Sequence, residues 1–355
     1  MRLFTAAFFA GLALIAGLNL AARMVCLSRL PDPALLGRWG EGQAFNVPGY
    51  DTGEDKALLV AMMPTAPAVA IGSSHFGELS SGPWPGLYNL STGDSSLQYL
   101  AGAWQGLVEA GKQPPLVLLS ADPFFLNDYQ YRRATTGRGN SRFARFALRS
   151  GLPAWLKAGL VAGDLLDRFH LFCLETFSLD SLHRSVWTLR HRAEFGLTTE
   201  AAVLADYRRI GLARDGHDVV AGMDRPQADL AAFQAATAAA VRRPGTYDRW
   251  RLSWWRRALF EALLEDMRSR GTRVWLAATP VDDVQLDWQR TRQAGVFDDY
   301  AAYARTLLDR GLVQRLWLDQ NRASCGCDEG EFKDGHHPNL ACSDKFLRRL
   351  LAPRP

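Results

Sequence analysis

The sequence lacks the patterns that mark nucleic-acid-binding, zinc-binding and repeat proteins. Its net charge is only +4 over 355 residues, and the 41 Lys and Arg residues are scattered, so a nucleic-acid partner is not expected. No internal repeat is evident. The only closely spaced cysteines are separated by one residue, whereas zinc sites usually have two to four. We therefore expect no cofactor and no metal.

Cysteines are also few, and their number is odd. The five are Cys26, Cys173, Cys325, Cys327 and Cys342. In an oxidising compartment Cys342 could pair with Cys325 or Cys327, and the sequence does not decide between them. A metal cluster built from these cysteines with Asp334, His336 and His337 is the less favoured alternative.

One long apolar segment stands out. Leu3 to Ala22 is uncharged and flanked by arginines, and a helix needs about 20 such residues to span a bilayer. The pairs that would precede a signal-peptidase cut, Asn19/Ala21 and Leu20/Ala22, do not fit the small-x-small rule. We predict that residues 1–23 form an uncleaved transmembrane signal anchor. The rest of the chain is expected outside the cytoplasm, in the periplasm at a bacterial inner membrane.

The remaining chain shows the rhythm of an α/β domain. The strand-like run "APAVAIG" is followed by the helical "LQYLAGAWQGLVEAG" and the apolar "PPLVLLS", which indicates βαβ units and a parallel sheet. The pattern resumes with "TRVWLAATP". From Tyr131 to Asp266 no convincing strand is found. We predict a linker over residues 24–65, an α/β domain in two parts over 66–130 and 267–355, and a helical insertion over 131–266.

Polar side chains follow the predicted strands, and in open α/β sheets sites form at the carboxyl ends of strands. Ser73 and Ser74 follow the first strand, Asn89 to Gly93 the second, and Asp122 the third. The final loop carries Asp334, His336 and His337. A serine needs an imidazole to remove its proton and the imidazole needs a carboxylate to orient it, so these residues predict an acyl-transfer site.

Three short blocks resemble those of the SGNH (GDSL-like) hydrolase and acyltransferase superfamily. "IGSSH" is similar to its first block, "YNLSTGDSS" to its second, and "DGHHPN" to its Asp-x-x-His block. The resemblance implies a three-layer α/β/α, flavodoxin-like domain. It implies Ser74 as nucleophile, His337 as general base and Asp334 as its partner. The backbone N–H groups of Ser74 and Gly93 would bind the oxyanion.

One block departs from this pattern. The superfamily's Gly-x-Asn-Asp block supplies an Asn donor to the oxyanion, but here "SADP" places Asp122 at that point. A carboxylate cannot donate and would repel the oxyanion, so Asn127 is the substitute donor that we predict.

Other polar residues near the predicted site receive different interpretations. Asn89, Asp122 and His336 are predicted pocket residues. Ser73 is interpreted as a helix cap. His75, if helical, would point away from the site and would lie at its rim.

The resemblance also implies a function. The membrane-anchored branch, which includes proteins of alginate O-acetylation and of D-alanyl transfer to lipoteichoic acid, predicts a serine acyltransferase or esterase. Its substrates would be O-acyl groups, with acetyl expected, on a cell-envelope polysaccharide. A membrane-bound O-acyltransferase is the expected partner, with the apolar segment from Gly151 to Phe177 as its docking surface. The alternative is a catalytically idle scaffold or polymer-binding subunit.

Overall fold

A computed structural model describes most of the chain. The described residues are 2–27, 39, 43–47, 56, 64–93, 95–128, 141–191, 196–205, 210–220, 226–241 and 249–352. Most of the predicted linker therefore lies outside them.

The helices and strands are numbered here in chain order. The helices are α1 (Arg2–Leu27), α2 (Leu97–Glu109), α3 (Ser141–Arg149), α4 (Ala154–Phe177), α5 (Leu179–Arg190), α6 (Glu200–Leu204), α7 (Leu230–Val241), α8 (Trp254–Ser269), α9 (Asp283–Arg292), α10 (Ala294–Asp309), α11 (Arg322–Cys325) and α12 (Leu340–Leu351). The strands are β1 (Gln43–Val47), β2 (Ala68–Ile71), β3 (Leu87–Asn89), β4 (Leu116–Ser120), β5 (Gly196–Thr199), β6 (Ile210–Ala213), β7 (Asp218–Val220), β8 (Arg273–Ala277) and β9 (Arg315–Trp317). Single 3₁₀ turns cover Ser74–Phe76 and Pro123–Leu126.

A five-stranded parallel sheet forms the centre of the fold. Its strand order is β3-β2-β4-β8-β9, and all four pairings are parallel. Every residue of β2 and β4 is buried, as expected for strands covered on both faces. The α/β class with a parallel sheet, predicted from the alternation of apolar runs, is confirmed.

Helices cover both faces of this sheet. On one face, Val69 and Val117 pack in a cluster with residues of α2, α3, α8 and α10. On the other, Ala70 and Leu118 pack with Phe346 of α12 and residues of the final loop. The alternation of side chains along each strand produces this division.

A second, antiparallel sheet corrects the expectation for the middle of the chain. It has the order β5-β1-β6-β7, so three of its strands lie in the segment that was expected to be strand-free, and β1 lies within the predicted linker. Most of helix α8 also falls in the predicted insertion, yet α8 packs against β8 and α2 of the main domain. The domain boundaries themselves stay predictions.

The turn between β6 and β7 contacts the main sheet beside the predicted site. The backbone N–H of Asn89, the last residue of β3, donates to the carbonyl of Asp215 (2.7 Å). Gly216 has a φ of +86°, and a Cβ there would lie 2.2 Å from the Asn89 carbonyl oxygen. A glycine is therefore required for this close approach.

Helix α1 is long and apolar enough, from Thr5 to Ala22, to cross a membrane. It packs against α4 and α5. Within this contact the Asn19 amide donates to the carbonyl oxygens of Thr176 (3.0 Å) and Ser178 (3.4 Å), at the junction of those two helices. Helix α4 also exposes several large apolar side chains: Trp155, Leu165, Leu166, Phe169, Phe172 and Phe177.

The cysteine alternatives are decided in favour of Cys327, which forms a disulfide with Cys342. Cys173 and Cys325 are free. Burial raises the pKa of the Cys325 thiol to about 12, so this thiol stays protonated near neutral pH.

Candidate active site

The predicted serines lie at the point where the strand order of the sheet reverses. Strand β2 lies between the next two strands of the sheet. The chain places β3 on one side of β2 and then crosses over to place β4 on the other side. Ligands of open α/β sheets bind outside the carboxyl ends of strands at such a point. Ser74 follows β2 and Asp122 follows β4, which places both at this position.

Close packing of β2 against β4 explains the glycine before the serines. A Cβ at Gly72 would lie 2.5 Å from the Oγ of Ser120, the last residue of β4. The Ser73 N–H donates to the same Oγ (3.2 Å). The chain can therefore turn directly from β2 into the 3₁₀ turn that begins at Ser74.

Ser74, His337 and Asp334 form a hydrogen-bonded relay. Ser74 Oγ and His337 Nε2 are 2.8 Å apart. His337 Nδ1 lies 2.8 and 2.9 Å from the two carboxylate oxygens of Asp334. A proton on Nδ1 satisfies the carboxylate and leaves Nε2 free to accept from the serine hydroxyl. The structure therefore brings together the three residues that the sequence predicted as a unit.

The loop that carries Asp334 and His337 is fixed at several points. The Asp334 carboxylate accepts the backbone N–H groups of His336 (2.9 Å) and His337 (3.0 Å). The N–H of Lys333 donates to the His337 carbonyl (2.8 Å). The Cys327–Cys342 disulfide encloses the whole loop. The imidazole is thus presented to Ser74 by a constrained turn.

The charge on Asp334 is stabilised where the relay needs it. Burial alone would raise the pKa of this carboxyl, but hydrogen bonding and charge interaction with His337, together with the His336 N–H, hold the pKa well below its usual value. Asp334 therefore remains a carboxylate and can stabilise an imidazolium at His337.

A second histidine–carboxylate pair stands beside the first, and sequence reasoning missed it. His75 Nδ1 is 2.6 Å from Asp122 Oδ1, and Ser73 Oγ donates to Asp122 Oδ2 (2.7 Å). The His75 ring lies 5.2 Å from the His337 ring, centre to centre. His75 is therefore part of the site, which corrects its assignment to the rim. Ser73 caps the turn as expected, since its Oγ accepts from the His75 N–H (3.2 Å).

The two members of this pair stabilise each other's charge. Burial opposes ionisation of both, yet the interaction with Asp122 raises the pKa of His75 above its ordinary value. The interaction with His75, and hydrogen bonds from Ser73 and Ser120, lower the pKa of Asp122. By contrast, burial and the charge on His75 lower the pKa of His336 to about 4. His336 is thus neutral near pH 7, although it stacks on His75 with ring centres 6.2 Å apart.

Two backbone N–H groups are available next to Ser74. The Thr92 N–H donates to the Gly72 carbonyl (3.2 Å), so the turn at Gly93 runs beside the start of the serine loop. Within the described part of the chain, neither the Ser74 N–H nor the Gly93 N–H donates a hydrogen bond. A Cβ at Gly93 would meet no atom within 4 Å, so there is open space around this residue.

Asn89 supports the backbone around the site, which corrects the prediction that it is a pocket residue. Its side chain is fully buried, and its amide donates to the carbonyls of Phe76 (2.6 Å), Gly77 (3.1 Å) and Leu79 (3.0 Å). Its Oδ1 accepts from the Ser91 N–H (2.8 Å). These bonds hold the segment that follows Ser74.

Asn127, the expected substitute oxyanion donor, is directed to another part of the chain. Its amide donates to the Arg249 carbonyl (2.9 Å), and its Oδ1 accepts from the Arg251 N–H (3.2 Å). These contacts join the end of the second 3₁₀ turn to the segment before α8. The amide is used to position backbone, which corrects the prediction.

The rival metal cluster is not assembled. Among the residues that the structure describes, no group of three His, Cys, Asp or Glu side chains has an arrangement that could hold a metal ion. Cys327 and Cys342 are joined to each other and so offer no thiolates.

Comparisons with known proteins find no match, so a function has to be proposed from the geometry of the site. No protein-family model matches the chain. A search of curated proteins finds no match either.

Proposed function

We propose that the protein is a membrane-anchored serine acyltransferase or esterase of the SGNH type, acting on O-acyl groups outside the cytoplasm. The observation that carries this proposal is the relay of Ser74, His337 and Asp334, with 2.8 Å between the serine oxygen and the imidazole nitrogen. A nucleophile, a base and a group that orients the base are the parts required for acyl transfer.

The topology supports the SGNH assignment. Numbered along the chain, the strands of the parallel sheet stand in the order 2-1-3-4-5, the order of flavodoxin-like doubly wound folds. The three blocks of the resemblance meet at one edge of that sheet, as the superfamily pattern requires.

The mechanism follows from the relay. Ser74 Oγ attacks the acyl carbon while His337 Nε2 takes the hydroxyl proton, and the carbonyl electron pair moves onto oxygen. The N–H groups of Ser74 and Gly93 hold that oxyanion. As the intermediate collapses, His337 returns the proton to the leaving oxygen, and the acyl group remains on Ser74. An acceptor hydroxyl or water then attacks, with His337 again as base, and Ser74 is released.

Each group of the site has an expected contribution to the rate. General base catalysis by a positioned histidine contributes about 10²–10⁴-fold in rate. One oxyanion donor contributes about a further 10²–10³-fold. Asp334 fixes the Nδ1–H tautomer of His337, without which Nε2 could not accept the serine proton.

Substrate, partner and location are proposed together. An acetyl group transferred to or from a cell-envelope polysaccharide is the proposed reaction, beside a membrane-bound O-acyltransferase. Helix α1 supports membrane attachment by its length and composition. The exposed apolar side chains of α4 support a docking face for the partner within the segment from Gly151 to Phe177. A bacterial inner membrane with a periplasmic domain is the proposed location.

The idle-scaffold alternative loses its main argument. It rested on Asp122 at the Asn position, where an unpaired carboxylate would repel the oxyanion. Asp122 is instead bound by His75 and Ser73, so its charge is compensated. The alternative remains the outcome to be tested against.

Covalent labelling tests the proposal. The full chain in detergent is treated with a fluorophosphonate, which reacts with activated serines. We expect labelling of the wild type, none in Ser74→Ala, and at least a 10²-fold slower rate in His337→Ala, about the contribution of a general base. Ser269→Ala is the matched control, because Ser269 is exposed at the end of α8 and its hydroxyl bonds to the Asp266 carbonyl of the same helix. A folded wild type that does not react would refute the proposal and favour the idle scaffold.

A further inference from the structure

We propose that His75 is a catalytic residue whose Nε2–H donates a hydrogen bond to the oxyanion formed on the substrate's acyl group. The inference rests on the proposed function, because it assigns a further role within the same reaction. It is carried by the position of the His75 ring between Asp122 and the relay.

The His75 ring lies beside the relay. His75 directly follows Ser74 in the 3₁₀ turn, and its N–H is held by Ser73 Oγ. Its ring centre is 5.2 Å from that of His337, whose Nε2 contacts the Ser74 hydroxyl. The nucleophile, its base and the His75 ring therefore surround the same space.

The ring of His75 has one nitrogen bound to a carboxylate and one that faces the site. Nδ1 is bound to Asp122 at 2.6 Å, so Nε2 points away from that carboxylate. Among the described residues none forms a hydrogen bond with Nε2, and the side chain is 20% exposed. This nitrogen is thus open to a group that enters the site.

The protonation state of His75 decides whether Nε2 can donate. A neutral His75 would place its one proton on Nδ1, toward Asp122, and Nε2 would then be an acceptor. Only the imidazolium carries protons on both nitrogens. Donation to an oxyanion therefore requires the charged form, and Asp122 is placed to stabilise that form.

The neighbouring charges favour the imidazolium. Burial would lower the pKa of His75, but Asp122, and more weakly Asp334, raise it overall. The other groups that face the ring are Phe124, at 6.5 Å between ring centres, His337 and His336. His336 is neutral because its own pKa is depressed to about 4, so it adds no opposing charge near pH 7.

This assignment changes the meaning of Asp122. Interpreted from the sequence, the residue removes an oxyanion donor and adds a repelling charge. Paired with His75, Asp122 stabilises a cationic donor, the His75 imidazolium, where the superfamily has the neutral amide of Asn. Replacing Asp122 with Asn would then weaken the site rather than repair it.

The test measures the rate of fluorophosphonate labelling of the full chain in detergent. Attack on phosphorus places negative charge on the phosphoryl oxygen, as attack on an ester does on the carbonyl oxygen. We expect His75→Phe, which keeps a ring and loses the donor, to react about 10²–10³-fold more slowly. His191→Phe is the control, since His191 bonds to the Trp187 carbonyl of the helix that it follows.

The pH profile separates catalysis from a purely structural role. The wild-type rate should fall at high pH as His75 loses its proton. Asp122→Asn should move this fall to lower pH, because the residue that raises the pKa of His75 is removed. His75→Gln keeps a neutral N–H donor, so it should react faster than His75→Phe and lack the alkaline fall. The double variant His75→Phe/Asp122→Asn, which leaves no unpaired buried carboxylate, should be as slow as His75→Phe.

The outcomes distinguish the two proposals. If His75→Phe reacts at the wild-type rate with an unchanged pH profile while Ser74→Ala is silent, the inference is wrong and the proposed function stands. If the folded wild type does not react at all, the proposed function fails and the inference fails with it.

Discussion

Asn89 offers the sharpest test of how the serine loop is held. Its buried amide supplies two N–H donors to three backbone carbonyls between Phe76 and Leu79. Asn89→Asp keeps the shape of the side chain but replaces these donors by carboxylate oxygens. The Phe76 and Gly77 carbonyls also accept the backbone N–H groups of Leu79 (3.0 Å) and Asp218 (2.9 Å), so among the described residues only the Leu79 carbonyl would lose its one donor. A buried carbonyl left without a partner costs about 1–3 kcal/mol, which is the loss of stability that we expect. That is a large part of the stability of a typical domain.

The variant should also acquire a characteristic pH dependence. Burial against carbonyl oxygens disfavours the ionised form, so the pKa of the introduced carboxyl should be higher in the folded chain than in the unfolded chain, where it is about 3.9. The unfolded chain then releases its proton first as pH rises. The free energy of unfolding should fall by about 1.4 kcal/mol per pH unit between the two pKa values, and stability should recover toward pH 4.

Thermal unfolding followed by tryptophan fluorescence measures this effect, with Asn321→Asp as the matched control. Asn321 caps α11 by accepting from the Ala323 N–H (3.0 Å), a role that an aspartate fills equally well. We expect the control to stay within about 0.5 kcal/mol of the wild type. An Asn89→Asp protein as stable as the control at pH 7, or a deficit that does not change with pH, would refute the reasoning.

Three further substitutions or measurements test the surroundings of the site. Cys342→Ser opens the disulfide that encloses the loop of Asp334 and His337, with a sequence separation of 15. We expect a loss of about 3 kcal/mol in stability and, under the proposed function, slower serine labelling; equal melting temperatures would contradict this. Gly72→Ala sets a Cβ 2.5 Å from Ser120 Oγ, so we expect a loss of about 1–3 kcal/mol from overpacking, whereas Gly295→Ala, with no atom within 4 Å, should be tolerated. By NMR, His336 should titrate near pH 4 because burial and a neighbouring imidazolium lower its pKa; a midpoint at its ordinary value would show that it is not buried among these groups.

The main sheet could be predicted from the sequence because its central strands, β2 and β4, are buried on both faces. Strands β2, β4 and β8 therefore appear as continuous apolar runs followed by polar residues, and the polar residues at their carboxyl ends predict the site edge. The contact between Ser74 and His337 follows from this geometry and from block order.

The antiparallel sheet could not be predicted from the sequence in the same way. Strands β5, β6 and β7 have three or four residues each, and β5 is not fully buried on either face. Its partner β1 lies in a distant segment, with Gln43 opposite Thr199. Local composition carries little information about pairings that form only when distant segments meet.

Side-chain partners were the least predictable feature. A helical interpretation turns His75 away from the serine, but the short 3₁₀ turn directs its ring to Asp122, which follows the neighbouring strand β4. Asn89 ends strand β3 and Asn127 ends the second 3₁₀ turn, and at both places binding and structural roles have the same sequence signature. Only the positions of the backbone carbonyls show that both amides are used for support.

The attachment of α1 has a consequence for how the protein samples its surroundings. A domain joined to its membrane helix by a flexible linker can take many orientations and many distances from the membrane. Here Asn19 joins α1 to the end of α4, so rotation of the helix about its own axis is transmitted to the domain. With α1 in a bilayer, the opening of the site would keep a constant orientation and a constant distance from the membrane surface. Under the proposed function, substrates would have to reach the site at that distance, and reach would depend on the length of the polymer rather than on movement of the domain.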